Sequence, residues 1–279
     1  MGFIENIGLF EVPYCVENGL SVPELVAIFD PDGQSYWGNG HKIETGNDLL
    51  NMSSLYPFSI IAKPAHGCHG EGVFALDFLD GKHYLASDPN LSLSDVFKKI
   101  IGENSDQYIL QKRLYSHQTI AAFTGNTVLQ SMRLITCLDE NGQPKLIIRK
   151  IKFPKQGNLI DNFSWGINEG LLCSIDEYGK IRSFIKYDYT KKHLVRHDDI
   201  GEINGKKTEF TIPCWEQCVT LVLNAQKAFA PLQTIGWDVA VTDDGPFLIE
   251  GNVFWDPLTP QEGSMQAVCQ LLAALDTPS

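Results

Sequence analysis

The sequence predicts an α+β protein built largely from antiparallel sheet. Two hairpin patterns carry this prediction: "SMRLITCLDENGQPKLIIRKIKF" turns at residues 139–142, and "TIGWDVAVTDDGPFLIEGN" turns at an Asp-Asp-Gly-Pro step. Helical patterns at residues 92–104 and 215–232 do not alternate strictly with the strands, as a doubly wound parallel sheet would require. A further short helix is expected within residues 3–19.

The bulk composition is that of an ordinary globular protein. The chain has 279 residues, of which 43% are hydrophobic, and it contains no apolar run of the ~18 residues that a membrane span needs. An early Glu5 without a preceding basic stretch argues against a secretory signal. Seven cysteines stand singly without zinc-finger spacing, which is typical of free thiols, so we expect a cytoplasmic location.

The charge balance restricts the partners. The chain has 22 basic and 34 acidic residues, for a net charge of −12. A general nucleic-acid or membrane-surface binder needs a basic surface, so we expect neither partner. An anionic small molecule would need a local positive pocket.

The stretch "KPAHGCHGEGV" at residues 63–73 has three closely spaced glycines, Gly67, Gly70 and Gly72. It lacks the Gly-Lys-Ser/Thr end of a Walker loop, and a strand pattern follows it rather than the helix of a dinucleotide fingerprint. A glycine loop between strands can fold over phosphates as a lid, with Lys63 reaching the same phosphates. A plain hairpin turn fits the loop by itself equally well. The other loop side chains match no strong metal-ligand template (His66, Cys68 and His69).

The last hairpin places acidic residues together. By alternation Trp237 and Val239 share one face and Asp238 lies on the other. If five residues connect the strands, Asp238 lies opposite Glu250, with Cβ atoms about 5 Å apart, and Asn252 shares their face. Carboxylate and amide oxygens suit Mg²⁺. A solvated polar face is the alternative, but facing acids repel unless a cation or proton lies between them.

Three cations lie on the antiparallel strands of the first hairpin, namely Arg133, Arg149 and Lys150. Some of them must be surface charges. A cation that faces a pocket would supply the positive patch that a triphosphate needs in an acidic protein.

Taken in order, these segments resemble an ATP-grasp enzyme. The resemblance rests on a strand ending in Lys-Pro, the glycine loop, the strands "LQKRL" and "MRLIT", and the closing hairpin. The segment "DNFSWGI" at residues 161–167, followed by "IDEYGKI", is similar to the sugar-transfer-associated ATP-grasp branch. The motifs are weak individually but fairly specific together, and they run from about residue 20 to residue 257.

The resemblance implies an ATP-grasp fold, in which two α+β subdomains grip ATP. It divides the chain into a reduced N-terminal region at 1–60, a lid subdomain with the glycine loop and hinge at 61–114, and a C-terminal subdomain with the metal site at 115–279. The N-terminal region is shorter than is usual in the family. We therefore expect part of the substrate site to be missing, rebuilt, or supplied by a homo-oligomer or a partner chain.

The resemblance also assigns roles to residues. It places Lys63 on the α- and β-phosphates and Arg133 on the γ-phosphate and the reacting carboxylate, with Lys150 as a second, less supported catalytic group. The remaining ATP-binding positions are the lid residues Gly67, His69, Gly70 and Gly72, the hinge residues Gln111, Lys112 and Leu114, and His117. The Mg²⁺ ligands are Asp238, Glu250 and Asn252, and the substrate-side candidates are Asp161, Asn162 and Asp256.

The implied reaction is that of an ATP- and Mg²⁺-dependent carboxylate–amine ligase. ATP phosphorylates a small-molecule carboxylate to an acyl phosphate, and an amine then forms the amide with release of ADP and phosphate. One alternative is a kinase on the same scaffold, with Asp161 or Asp256 as general base. Another is a non-catalytic nucleotide-binding module, against which the complete set of candidate residues argues. The ligase is favoured by analogy at the level of the fold.

Overall fold

The chain folds into two compact units. The computed structural model describes residues 6–7, 11–29, 36–37, 46–64, 72–96, 98, 107–154, 170–188, 190, 193–197, 202–203, 206–207 and 209–255. One unit comprises Met1–Val22 and Tyr115–Ser279, and the other comprises Pro23–Leu114. A separate region at 1–60 has no counterpart in this division. Residues 23–60 belong with the expected lid subdomain, because their strands pair with its sheet.

Strands predominate among the described residues. In chain order the strands are β1 (Asn6–Ile7), β2 (Leu25–Phe29), β3 (Tyr36–Trp37), β4 (Ile60–Pro64), β5 (Phe74–Leu79), β6 (Lys82–Leu85), β7 (Tyr108–Lys112), β8 (Ser131–Leu138), β9 (Pro144–Phe153), β10 (Leu171–Ile175), β11 (Ile181–Asp188), β12 (His193–His197), β13 (Glu202–Ile203), β14 (Lys206–Lys207), β15 (Thr234–Thr242) and β16 (Gly245–Asn252). The helices with described bounds are α1 (Glu11–Glu17), α2 (Gly46–Leu55), α3 (Gln118–Thr124) and α4 (Trp215–Ala228). The predicted α+β class is confirmed.

The Pro23–Leu114 unit is organised around an antiparallel sheet. Its described strands follow the order β3-β2-β7-β4-β5-β6. The predicted Asp-Gly turn joins β5 to β6, where Asp80 and Gly81 have φ values of 48° and 77°. These left-handed conformations match the twist of a tight hairpin. Val26, Ile60 and Leu110 are almost fully buried in the core of this unit.

The other unit contains the larger sheet. Its described strands follow the order β1-β16-β15-β8-β9-β10-β11-β12, and each neighbouring pair of them is antiparallel. Helix α4 packs one apolar face, which includes Cys218, Val222 and Ala225, against this sheet. These residues recur at helical spacing, so burial of that face holds the helix on the sheet. Leu134 and Trp237 lie in the same core, which leaves the opposite sheet face for polar side chains.

A buried polar cluster fixes α4 relative to β8 and β15. The hydroxyl of Thr136 donates to Gln226 Oε1 at 2.7 Å and accepts from the indole nitrogen of Trp237 at 2.8 Å. The amide nitrogen of Gln226 donates to the Leu232 carbonyl at 2.7 Å. All three polar side chains are satisfied although they are buried, so they can specify the orientation of Trp237 without leaving an unpaired group.

The N-terminal segment differs from the expected helix at 3–19. Residues Asn6 and Ile7 form β1, which pairs with Asn252 and Gly251 of β16, and the helix spans only Glu11–Glu17. Pro13 lies in the first turn of this helix, where its missing amide hydrogen breaks no intrahelical bond. In the part of the chain with described coordinates, no helix combines the length and hydrophobicity needed to cross a membrane.

Candidate active site

A β-bulge aligns the two acidic residues of the closing hairpin. From the Asp243–Asp244 turn, β15 and β16 pair regularly as far as Val239 opposite Leu248. The register then shifts by one residue, and Asp238 lies opposite Glu250 instead of Ile249. The predicted pairing is confirmed, but the assumed five-residue connection is wrong. A two-residue turn followed by a bulge produces the same pairing.

Asp238 and Glu250 belong to a row of polar residues that crosses the sheet. Asp238 pairs with Arg133 of β8, and Arg133 pairs with Lys150 of β9. The row continues through Ser174 of β10, which lies opposite Lys150. The acids therefore occupy β15 and β16, whereas the cations occupy the adjacent strands β8 and β9. This arrangement forms a polarised face opposite the apolar core.

The carboxylate of Asp238 is held by two cations. Arg133 donates from Nε to Oδ1 at 2.6 Å and from a terminal nitrogen to Oδ2 at 3.3 Å. Lys152 donates to Oδ2 at 3.2 Å. The exposed side-chain fraction is 12% for Asp238, 11% for Arg133 and 9% for Lys152. Little solvent screening is therefore available to this cluster, and its charges interact strongly.

The two cations also determine the ionisation of Asp238. Burial by itself raises the pKa of a carboxyl group because it penalises the charged form. The charges and hydrogen bonds of Arg133 and Lys152 outweigh that effect and lower the pKa of Asp238 to about 2. Asp238 is therefore a carboxylate at neutral pH, the form in which it can hold cations.

Lys152 is a site residue that the sequence analysis missed. The pattern "IRKIKF" could have revealed Lys152, because it places Lys150 and Lys152 two residues apart in a strand. Residues at that spacing share one face of β9. Lys150 is only 1% exposed and Lys152 7%. Two buried lysines on one face of a strand are unusual unless their charges are compensated. Arg149 lies on the other face of β9 and donates to the Leu146 carbonyl at 3.3 Å.

The oxygen donors of the expected metal ligands suit Mg²⁺. The amide nitrogen of Asn252 donates to the Gly236 carbonyl at 3.4 Å, so its side-chain oxygen is the atom that the prediction would use as a ligand. A carboxylate provides about four lone-pair sites, and three are used at Asp238 by Arg133 and Lys152. One remains, so a divalent cation would share Asp238 with both side chains. The described residues contain no group of three or more His, Cys, Asp or Glu side chains that could hold a metal, so a cation here would rely on two carboxylates and an amide oxygen.

Trp255 borders this face from the end of β16. Its indole nitrogen donates to Thr234 Oγ1 at 2.9 Å, and its ring packs with Ile135 and Ile148. A Cβ atom on Gly236 would lie 2.5 Å from Trp255 Cβ and 3.5 Å from Arg133 Cδ. Gly236 therefore allows the indole to approach the strand next to Arg133. The sequence analysis gave Trp255 no role, and the structure assigns it this packing role.

In the Pro23–Leu114 unit, Lys63 lies on β4 opposite Ile109 of β7. Gly72 has a φ of +74°, and an added Cβ would lie 2.8 Å from Pro64 Cγ. The left-handed conformation and the close approach to Pro64 therefore both require a glycine at position 72, as in a structural turn. The expected lid residues Gly67, His69 and Gly70 lie outside the described residues.

The expected hinge residues lie at the end of β7. Gln111 is 3% exposed, and its amide nitrogen donates to the Pro23 carbonyl at 3.4 Å. The backbone amide of Lys112 donates to Glu24, while its ammonium lies 5.4 Å from the centre of the Phe58 ring. Leu114 is the last residue of this unit. The adenine contacts expected here stay predictions.

His117, expected near the ribose, is the N-cap of α3 in the other unit. Its Nδ1 accepts from the Thr119 amide at 3.1 Å, and its own amide donates to the Val241 carbonyl at 2.8 Å. Asp243 Oδ1 lies 3.8 Å from its Nε2. These contacts give His117 a structural function. The substrate-side candidates Asp161, Asn162 and Asp256 lie outside the described residues.

The family to which the chain belongs follows from its match to a family model. The family model for sugar-transfer associated ATP-grasp matches residues 9–272. The chain therefore belongs to the sugar-transfer-associated ATP-grasp family, as its sequence motifs predicted. A comparison with curated proteins gives no significant match.

Solved structures of ligases and a synthetase are similar to the chain at low sequence identity. D-alanine–D-alanine ligase from Bacillus anthracis is 12% identical with a TM-score of 0.47, over 95% of this chain and 64% of that one. D-cycloserine synthetase DcsG is 12% identical with a TM-score of 0.49, over 96% and 69%. D-alanine–D-alanine ligase from Helicobacter pylori is 13% identical with a TM-score of 0.48, over 96% and 59%. The chain thus spans roughly two thirds or less of the length of these neighbours.

Proposed function

We propose that the protein is an ATP- and Mg²⁺-dependent carboxylate–amine ligase. The observation that carries this proposal is the row Glu250–Asp238–Arg133–Lys150, in which two acids and two cations lie side by side on four adjacent strands. Because the chain belongs to the ATP-grasp family, the expected ligand of this row is a nucleoside triphosphate together with its metal ion.

The acidic side of the row holds the metal. Asp238, Glu250 and Asn252 would supply the oxygen ligands, and Mg²⁺ held there would neutralise phosphate charge and polarise the phosphoryl group. Asp238 is ionised at neutral pH because its pKa is about 2. Metal binding at this carboxylate therefore requires no loss of a proton.

The basic side of the row orients the transferring phosphoryl group. Arg133 presents a planar guanidinium that is already fixed by Asp238, so little side-chain freedom is lost when it contacts an anion. Lys150 adds a second positive charge on the neighbouring strand. Such pre-arranged charges stabilise developing negative charge in a partly buried site better than mobile surface groups do.

In the proposed reaction the substrate carboxylate oxygen attacks the γ-phosphorus of ATP, and the bond to the β-phosphate oxygen breaks. An amine then attacks the carbonyl carbon of the acyl phosphate, forms the amide with loss of a proton, and releases inorganic phosphate. Arg133 and Lys150 offset charge in both steps. The work of the protein is positioning and charge neutralisation, without a nucleophile of its own.

Hydroxylamine trapping tests this proposal without knowledge of the natural amine. The full chain is incubated with Mg²⁺-ATP, hydroxylamine and a panel of carboxylic acids that includes amino acids and sugar acids. The expected result is acid-dependent formation of a hydroxamate with stoichiometric ADP and phosphate.

Two results would contradict the ligase proposal, one from product analysis and one from thermal unfolding. ADP together with a stable phosphate ester, found when hydroxyl compounds replace the acids, would identify a kinase. If Mg²⁺ and a non-hydrolysable ATP analogue fail to raise the melting temperature, nucleotide binding itself would be excluded.

A further inference from the structure

The polar face contains a buried cation that neither the family resemblance nor the proposed reaction uses. Lys152 is 7% exposed, and its ammonium donates to Asp238 Oδ2 at 3.2 Å. Arg133 holds the same carboxylate through both oxygens. One negative charge therefore compensates two positive charges within this contact set.

The Lys152 contact opposes the approach of a divalent cation to Asp238. A cation that approaches Asp238 meets repulsion from the Lys152 ammonium as well as attraction to the carboxylate. At low exposure the repulsion is poorly screened by water or salt. Lys152 also occupies a lone pair of Oδ2 that would otherwise be open to a ligand.

We propose that Lys152 is a positioning residue that sets the balance between two interactions of the Asp238 carboxylate, namely its ion pair with Arg133 and its binding of a divalent cation. By holding Oδ2, it keeps the carboxylate turned so that Oδ1 faces Arg133 Nε, and it weakens cation binding at Asp238. The inference rests on the proposed function for its role in turnover, but its effect on cation binding concerns Asp238 alone.

The test compares Lys152→Met with the wild type. Methionine keeps the apolar stem and approximate length of lysine and removes its charge, so packing is largely retained. Binding of Mn²⁺ alone, without nucleotide, is measured by electron paramagnetic resonance, with circular dichroism as the folding check. Mn²⁺ should bind Lys152→Met about tenfold or more tightly, because one close positive charge has been removed.

Two further variants separate this effect from a general loss of charge. Arg149→Met removes a cation from the opposite face of the same strand, away from Asp238, and should leave Mn²⁺ affinity within about twofold of wild type. Lys152→Arg retains a donor and a charge at the site and should restore weak binding. A structural role of Lys152 in packing alone would not produce tighter metal binding.

Turnover provides the second readout. For Lys152→Met, the Mg²⁺ concentration at half-maximal rate should fall, while kcat decreases because Arg133 is less well oriented. Unchanged or weaker Mn²⁺ binding by folded Lys152→Met overturns the inference, as does absence of Mn²⁺ binding by both proteins.

The two proposals fail separately. Wild-type hydroxamate formation with an unchanged Mn²⁺ affinity ratio removes only the role of Lys152. Tighter Mn²⁺ binding by the variant, without any acid-dependent product from the wild type, removes only the ligase.

Discussion

Arg133 Nε lies 2.6 Å from Asp238 Oδ1, across two adjacent strands in which the two residues are direct partners. The guanidinium also reaches the second carboxylate oxygen, so the contact is bidentate. Fork-to-fork pairing of this kind fixes orientation as well as charge. The residue expected to bind metal and the residue expected to contact the γ-phosphate are thus mechanically linked.

Asp238→Asn should destabilise the fold. The change leaves Arg133 and Lys152 buried without their shared counter-ion, and breaking a buried pair in this way costs about 3 kcal/mol or more. Urea denaturation followed by circular dichroism measures the loss. Glu250→Gln, on the neighbouring strand, is the matched acid-to-amide change and should alter stability by less than about 1 kcal/mol. Equal stability of Asp238→Asn and wild type would contradict the contribution of the ion cluster.

The contribution of Asp238 to stability should depend on acid pH. Its folded pKa of about 2 lies below the value of about 3.9 expected in an unfolded chain. A depressed pKa of this kind stabilises the fold above the unfolded value, and that stabilisation is lost as pH falls from about 4 towards 2. The difference in unfolding free energy between wild type and Asp238→Asn should therefore shrink by roughly 2 kcal/mol over this window. Urea titrations at pH 6, 4, 3 and 2 measure it, and a constant difference would contradict the assigned pKa.

Glu250→Gln should lower turnover at saturating ATP by ~100-fold or more while the fold survives. The amide retains the shape of the side chain but removes a negative charge from the expected metal site, and such electrostatic contacts act mainly in the transition state. Product formation is measured in the hydroxamate assay. Glu177→Gln, at an exposed residue in the turn between β10 and β11, serves as the control and should retain full activity. Near-normal turnover of folded Glu250→Gln would remove the metal assignment.

Gly236→Ala should destabilise the protein by about 1–3 kcal/mol, as overpacking does at other crowded positions. The added Cβ would lie 2.5 Å from Trp255 Cβ, so the indole must move away from Arg133 and lose its hydrogen bond to Thr234. Thermal unfolding measures the effect. Replacing Trp255 by glycine in the same chain removes the clashing atom, so the two changes together should be less destabilising than the sum of the single changes. Strict additivity would mean that Trp255 is not the residue that restricts this position.

The strands around the site could be predicted from local patterns. The run "TIGWDVAV" alternates large apolar residues and other residues with a period of two, which assigns Trp237 and Val239 to the core and Asp238 to the opposite face. The Asp-Gly sequence at residues 80–81 similarly predicts a tight turn, because few residue pairs adopt two left-handed conformations. These features depend on neighbours in the chain and therefore appear in the sequence by itself.

Other features depend on partners far away in the chain. No local sequence pattern assigns residues 23–60 to the sheet that contains β4 and β7. Their place in that unit becomes visible only from the pairing of β2 with β7. From its neighbours in the sequence, Lys152 is indistinguishable from the other positively charged residues on the strands. Its role emerges only when β9, β8 and β15 lie together and bring its ammonium to Asp238, 86 residues away.

The α+β class, the antiparallel hairpins, and the acidic and basic residues available to one sheet face follow from local patterns along the chain. The tertiary structure alone decided which charges meet. Alternation along one strand specifies a face but not a register, because a slip of one residue relative to its neighbour changes every cross-strand pair. The bulge after Asp238 sets that register and brings Glu250, rather than Ile249, opposite Asp238. Packing of Trp237 and Leu248 into the core favours this alignment, since a regular ladder would place Leu248 and Glu250 on the same face.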